Sequence, residues 1–81
     1  MKLITVKAQD TSAHSNPFLI FAPVDMNLNV KSALIVEGPT SVFELWQDVS
    51  YYFFVDPAKS ALYQRPGANL AGAKILVLLG A

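Results

Sequence analysis

The single histidine of this chain, His14, lies in a polar stretch beside Ser12 and Ser15. A serine nucleophile needs a base, and histidine is the usual one, so these residues are the first candidates for hydrolytic chemistry. No Gly-x-Ser-x-Gly elbow accompanies them, and one histidine without a nearby acidic pair makes a poor metal site. The chain has no cysteine, which excludes thiolate catalysis, disulfides and cysteine-ligated metals. We therefore interpret His14 as an ordinary surface residue and predict a protein without enzymatic activity, cofactor or metal.

The carboxylates offer a second kind of chemistry, since acid–base catalysis needs two acids in contrasting environments. Most of them lie at predicted turns or on the polar side of predicted strands, where capping and solubility explain them. Glu44 is the exception, because Phe43 and Leu45 flank it and it shares a predicted strand face with Val42 and Trp46. We interpret Glu44 as an edge-strand charge that discourages wrong pairing. The alternative is a buried acid or an interface ion pair.

The charge balance and the lengths of the apolar runs limit the classes of partner that we expect. Six basic and six acidic residues cancel, and a neutral chain cannot neutralise many phosphates, so we expect no nucleic acid. The glycines form no phosphate-binding pattern. The longest apolar runs fall far short of the roughly 20 residues of a spanning helix, so we expect no membrane span. We expect no export signal in the residues after Met1, because Lys7, Gln9 and Asp10 interrupt any apolar stretch.

Aromatic side chains are more informative. The set is Trp46, Tyr51, Tyr52, Phe53, Phe54 and Tyr63. Stacking on nucleic-acid bases normally accompanies a cationic groove, which this chain lacks, whereas a sugar platform stays open. We expect most of these rings in the core and a few at a partner interface, where Trp, Tyr and Arg are favoured. The predicted partner-binding residues are Trp46, Tyr51, Tyr63, Arg65, Ile75 and Val77.

Strands must position these residues. Apolar and polar residues alternate without error over residues 24–31, as a half-buried strand requires. The strand is predicted to run on to Val36, with either a bulge near Ser32 or a second covering layer, because its outer face changes character at Ala33 and Ile35. Further strands are predicted at residues 3–8, 18–22, 42–47, 50–55 and 73–79. Residues 9–16 are predicted as an exposed loop and residues 38–41 as a turn.

One helical turn is predicted among the strands. Asp56-Pro57-Ala58 has the form of a helix start, with Asp at the N-cap and Pro at the first helical position. The helix would run from Lys59 to Gln64 and end before Pro66. The spacing of strands and turns predicts one all-β domain over residues 1–81: a small β-sandwich or barrel of six to seven short strands with one short helical turn.

The composition points to a function. Apolar residues make up 53% of the chain and charged residues only 15%, although small domains have the most surface for their volume. Surplus apolar surface on a small chain is normally covered by a partner. We therefore expect a structural or assembly protein that multimerises or sits on a larger protein surface, as auxiliary decoration or cement proteins of virions do. The exposed edge of strand 73–79 is expected to add to a neighbour's sheet. The alternative is a small-ligand or carbohydrate binding module.

Overall fold

The computed structural model describes residues 1–38 and 43–81. Within them the chain forms two three-stranded antiparallel sheets, sheet 1 with strand order β1-β6-β3 and sheet 2 with strand order β2-β5-β4. The strands are β1 (Lys2–Lys7), β2 (Phe18–Phe21), β3 (Asn29–Glu37), β4 (Phe53–Asp56), β5 (Ala61–Gln64) and β6 (Lys74–Gly80). A single turn of 3₁₀ helix, Ser50–Tyr52, precedes β4. The predicted β character is confirmed.

The inner faces of the two sheets share one core. Strand β6 contributes Ile75, Val77 and Leu79, alternate residues that are almost fully buried. Leu62 of β5 and Phe53 of β4 join the same cluster from sheet 2. Alternation along each strand thus sends one set of side chains into the common interior and the other set outward.

Strand β3 begins later than the alternation predicts. The backbone turns at Asp25, whose side-chain oxygen accepts a hydrogen bond from the N–H of Asn27 at 2.8 Å. The carbonyl of Asp25 accepts another from the N–H of Leu28 at 3.0 Å. Short polar side chains offer the backbone such local bonds in place of a ladder, so residues 24–28 do not form the predicted strand.

The predicted bulge in this strand is confirmed. The pairing of β3 with β6 shifts register between Val30 and Ser32. The extra residue changes the phase of the alternation. Ala33 and Ile35 therefore enter the core, and Leu34 lies on the outer face.

The predicted strand 42–47 is wrong for residues 43–47, and Val42 lies outside the described residues. Trp46 has a φ of 67°, which an extended strand does not allow. The segment instead follows the edge of β3, where the N–H of Trp46 donates to the carbonyl of Ile35 at 2.6 Å. Glu44 is exposed, and its N–H donates to the side-chain oxygen of Gln47 at 3.0 Å.

The predicted helix after Asp56 is also wrong. Residues 57–60 form the turn of a hairpin between β4 and β5, and Ala61–Gln64 is a strand. Asp56 does act as a local cap, since its side chain accepts from the N–H of Ala58 at 3.0 Å. An Asp that starts a helix and an Asp that starts a turn make the same local bond, so the pattern is ambiguous. Pairing of β5 with strands on both of its edges decides the outcome.

Two further predictions concern the strand at residues 50–55 and the turn at residues 38–41. Residues 50–52 form the 3₁₀ turn rather than the start of a strand. Of the predicted turn 38–41, only Gly38 lies among the described residues. Its φ is +100°, and an added Cβ would overlap the carbonyl oxygen of Gly72, so glycine is required at this position.

A buried polar cluster ties the two sheets together. The side-chain amide of Gln64, on β5, accepts from the N–H of Gln9 at 3.0 Å and donates to the Gln9 carbonyl at 2.9 Å. Gln9 follows β1, so the amide pairs with the backbone of the opposite sheet as a neighbouring strand would. The hydroxyl of Thr11 lies within 2.8 Å of the Arg65 carbonyl and 2.9 Å of the Ala68 carbonyl. The polar loop that starts at Gln9 is therefore anchored at its base.

Gln64→Leu should destabilise the protein more than its change in size suggests. Leucine fills a similar volume but removes the partners of the partly buried N–H and carbonyl of Gln9, at up to about 1–3 kcal/mol for each group. We expect the free energy of unfolding in urea to fall by about 2–4 kcal/mol. Gln47→Leu is the matched control, because Gln47 is exposed, and we expect a change under about 1 kcal/mol there. Equal losses for both variants would contradict the anchoring role.

Candidate functional site

The outer face of sheet 2 carries a row of apolar side chains. Tyr63 of β5 lies opposite Leu19 of β2 and opposite Phe54 of β4. Directly opposite residues of antiparallel strands share a face, so the three side chains run across the whole sheet. The rings of Phe54 and Tyr63 stack with centroids 5.9 Å apart and planes 21° apart.

Cations cover part of this row. The guanidinium carbon of Arg65 lies 5.2 Å from the ring centre of Tyr51 and 5.1 Å from that of Phe54. Its Nε also donates to the Tyr51 carbonyl at 2.6 Å, which fixes the plane of the group. Lys59 Nζ lies 5.5 Å from the ring centre of Tyr63. Cation–π attraction therefore holds two positive charges on an aromatic surface.

We name this surface the aromatic face. It consists of Leu19, Tyr51, Phe54, Lys59, Tyr63 and Arg65. Within the described part of the chain, the single ion pair joins Lys74 to Glu37, so neither cation of the aromatic face has a carboxylate partner. The surface thus offers apolar area and unpaired positive charge together.

The outer face of sheet 1 is apolar in a different way. In one cross-strand row Leu3 lies opposite Leu78, and in the next Leu76 lies opposite Leu34. Leu3 is 62% exposed and the other three side chains are half-buried. We name these four residues the leucine face.

A charged row ends the leucine face. Lys7, Lys74 and Glu37 lie opposite one another on the three strands of sheet 1. Lys74 Nζ lies 2.7 Å from a carboxylate oxygen of Glu37, which lowers the pKa of that carboxyl. The three side chains line an open cleft of about 460 Å³ next to Gly38 and Gly72.

The predicted partner-binding residues fall into three groups. Tyr51, Tyr63 and Arg65 come together on the aromatic face. Trp46 lies apart from them in the loop beside β3, 65% exposed, and no described ring stacks on it. Leu19 and the leucine face were not predicted as contact residues, although alternation places Leu76 and Leu78 on the face of strand 73–79 opposite Ile75 and Val77.

Ile75 and Val77 occupy a different place from the predicted contact surface. Both are fully buried on the central strand of sheet 1. The prediction that strand 73–79 has an open edge is wrong, because β6 pairs with β1 on one side and β3 on the other. Apolar residues on both faces are typical of a central strand, and this signal was available in the sequence.

His14 and its neighbours form a turn on the surface. The Ser12 hydroxyl donates to a carboxylate oxygen of Asp10 at 2.6 Å, and the Ser12 N–H donates to the same oxygen at 3.0 Å. These two bonds lower the pKa of Asp10. The ring of His14 lies 5.4 Å from that of Phe18, and no hydrogen bond joins it to Ser12 in the described structure. The Ser12 hydroxyl is therefore hydrogen-bonded to the Asp10 carboxylate rather than to the imidazole of His14.

Lys74→Met should raise the pKa of Glu37 toward its ordinary value of about 4.5, because the ammonium that favours the carboxylate is removed. An NMR titration of the glutamate side chains measures this. A pKa lowered in the folded chain stabilises it above the ordinary pKa, and this contribution is lost as the pH falls through the folded-state value. The acid-side loss of stability should therefore be smaller in Lys74→Met than in the wild type. Lys59→Met is the control, and an equal change of the Glu37 pKa in both variants would refute the pairing.

Three further findings concern membrane spans, metal sites and similarity to known proteins. Among residues 1–38 and 43–81, no helix has the length and hydrophobicity that a membrane span requires. The same residues hold no group of three or more His, Cys, Asp or Glu side chains arranged to bind a metal ion. No protein-family model, curated protein or solved structure matches the chain.

Proposed function

We propose that this protein is a non-enzymatic assembly protein that works as a multimer or seated on a larger protein. The observation that carries the proposal is the leucine face. A sheet with one face in water normally alternates apolar and polar residues, but β6 has no polar side chain between Lys74 and Gly80. Sheet 1 therefore has apolar side chains on both of its faces.

The energetics favour covering this face. Full burial of a leucine side chain is worth about 1.5–3 kcal/mol relative to full exposure. Leu3 is the most exposed of the four. The other three side chains are already half-buried, so covering them at an interface would gain only part of this free energy. Several partial contributions of this size still favour a flat apolar contact over water. An obligate partner surface is more apolar than an ordinary protein surface for the same reason.

The aromatic face supports the same proposal from the other side of the molecule. Tyr and Arg are enriched at the energetic centres of interfaces. Tyr51 is 73% exposed and Arg65 is held in a fixed plane against it. A rigid side chain loses little conformational entropy on binding, which favours contact at this position.

We extend the proposal to architecture and setting. The two sheets that share one core form a small open sandwich, and a sandwich with apolar outer faces suits a position between larger subunits. Auxiliary components of virions are proteins of this kind, and we propose such a role on the size of the chain and its two apolar outer faces.

A carbohydrate-binding role is less well supported. A sugar platform needs an aromatic ring with a free face and polar groups around it. On the aromatic face, cations lie over the rings of Tyr51 and Tyr63, and the exposed Trp46 lies apart from these rings in the loop beside β3.

Leu78→Lys tests the leucine face. We expect sedimentation to show the wild type above its monomer mass of 8.8 kDa and the variant shifted to smaller species, because a buried ammonium would disfavour the contact. Met26→Lys is the matched control, since Met26 is 55% exposed in the turn before β3 and outside the leucine face. Circular dichroism confirms that both variants fold. A wild type that stays monomeric at every concentration, or a Leu78→Lys distribution equal to that of the wild type, would contradict the proposal that the protein multimerises through this face.

A further inference from the structure

The open cleft beside the charged row of sheet 1 has a volume of about 460 Å³. Residues of all three strands of the sheet line it, together with Gly38 and Gly72. No described atom lies within 4 Å of the position that a Cβ of Gly72 would occupy, so this wall leaves the space open. Small-molecule sites have volumes of about 300–1,000 Å³, and the cleft is therefore large enough for a small ligand.

The charges that line the cleft do not cancel. Lys7 and Lys74 lie directly opposite each other on β1 and β6, where like charges are destabilising. Glu37 lies on the other side of Lys74 and pairs with it at 2.7 Å. Within residues 1–38 and 43–81 no ion pair involves Lys7. Two lysines and one glutamate line the cleft, so one positive charge is in excess, and an anion bound there would offset the repulsion between the lysines.

Two hydrogen-bond donors lie side by side on β1. Thr5 and Lys7 are two residues apart and therefore point to the same face of the strand. Both side chains are exposed, and neither the Thr5 hydroxyl nor the Lys7 ammonium is bonded to another group of the described chain. A carboxylate has two acceptor oxygens and can receive both donors at once.

The single excess charge favours a carboxylate over a phosphate. A carboxylate carries one negative charge, which balances the excess. A phosphate group carries about −1.5 to −2 at neutral pH and would bring additional negative charge close to Glu37.

The leucine face begins next to the cleft. Thr5, which lines the cleft, lies opposite Leu76, and Leu76 lies opposite Leu34. This row follows the charged row by two residues, or about 6.5 Å along a strand. A ligand whose carboxylate contacts Lys7 therefore meets leucine side chains within a few carbon atoms. Burial of methylene groups against them favours a ligand with an apolar chain.

We propose that the cleft binds a monocarboxylate with a short apolar chain. The carboxylate accepts hydrogen bonds from Lys7 and Thr5, and the chain lies against Leu76 and Leu34. This inference goes beyond the proposed function and does not depend on it, because the outer row of Leu3 and Leu78 remains available for a protein contact.

An NMR titration of the wild type with octanoate tests the ligand class. We expect a Kd on the order of 1 mM, since so small a ligand gains little free energy, with the amide shifts concentrated at Thr5, Lys7 and Gly72. Octylammonium has the same chain and the opposite charge, and it should bind at least about tenfold more weakly because it meets the excess positive charge. Butyrate keeps the carboxylate and loses four methylene groups, and it should also bind about tenfold more weakly.

Lys7→Met tests the contact with the carboxylate. Methionine keeps an unbranched apolar stem but lacks the charged donor, so the Kd for octanoate should rise about fivefold to tenfold. Lys2→Met is the matched control, because Lys2 is exposed at the other end of β1, does not line the cleft and carries the same charge. We expect a change under about twofold for this control. Circular dichroism verifies that both variants fold.

Three results would overturn the inference. The first is no binding of octanoate to the wild type at concentrations up to about 10 mM. The second is an equal effect of Lys7→Met and Lys2→Met on the Kd, and the third is octylammonium binding as tightly as octanoate. Sedimentation of Leu78→Lys tests the proposed function separately. A wild type that sediments above monomer mass without binding octanoate leaves the proposed function standing, whereas a monomeric wild type that binds octanoate through Lys7 supports this inference alone.

Discussion

The structure depends on a side-chain amide that pairs with a backbone. Gln64 pairs with both backbone polar groups of Gln9, and the Thr11 hydroxyl lies within hydrogen-bond distance of the Arg65 and Ala68 carbonyls in the segment after β5. Gln64 and Thr11 are fully buried, where an unpaired polar group is costly, so their hydrogen bonds constrain how the two sheets meet. Every buried side-chain polar atom among the described residues has a partner. The polar cluster therefore aligns the sheets, and the apolar core then fills the space between them.

A shared interior has consequences for the outside. The two three-stranded sheets share one core, which takes inner-face residues from β1, β3, β4, β5 and β6. The remaining positions of β6 and β5 are also apolar or aromatic, so the composition places leucines on one outer face and aromatic rings on the other. The two faces differ because Arg65 and Lys59 lie among the rings of the aromatic one, whereas the charged residues of sheet 1 lie toward its two ends, with Lys7, Lys74 and Glu37 at one end and Lys2 and Lys31 at the other.

Patterns that depend on a single strand were predictable from the sequence. Strands β1 and β6 and the bulge near Ser32 follow from alternation and its change of phase. The helix after Asp56 was not excluded, because the local hydrogen bond of an Asx turn is the same as that of a helix cap, and only pairing with distant strands distinguishes them. The prediction of a strand at residues 42–47 failed because Trp46 adopts a left-handed backbone conformation, which no residue type in this segment indicates.

The candidate surfaces were predictable only in part, for the same reason. Tyr51, Tyr63 and Arg65 were identified as contact residues by type, but their grouping depends on the pairing of β4 with β5. Ile75 and Val77 were assigned to an edge although the apolar residues on both faces of strand 73–79 are typical of a central strand.

The exposed position of Trp46 has a practical consequence. It is the only tryptophan of the chain, and it lies in a surface loop held to β3 by its backbone rather than by its ring. Its indole is exposed to solvent in the isolated chain, so the wavelength of its fluorescence emission should change little when the protein unfolds. A blue shift of the Trp46 fluorescence would instead report that another molecule has covered this loop. Trp46 is therefore an intrinsic fluorescent probe of binding at this surface.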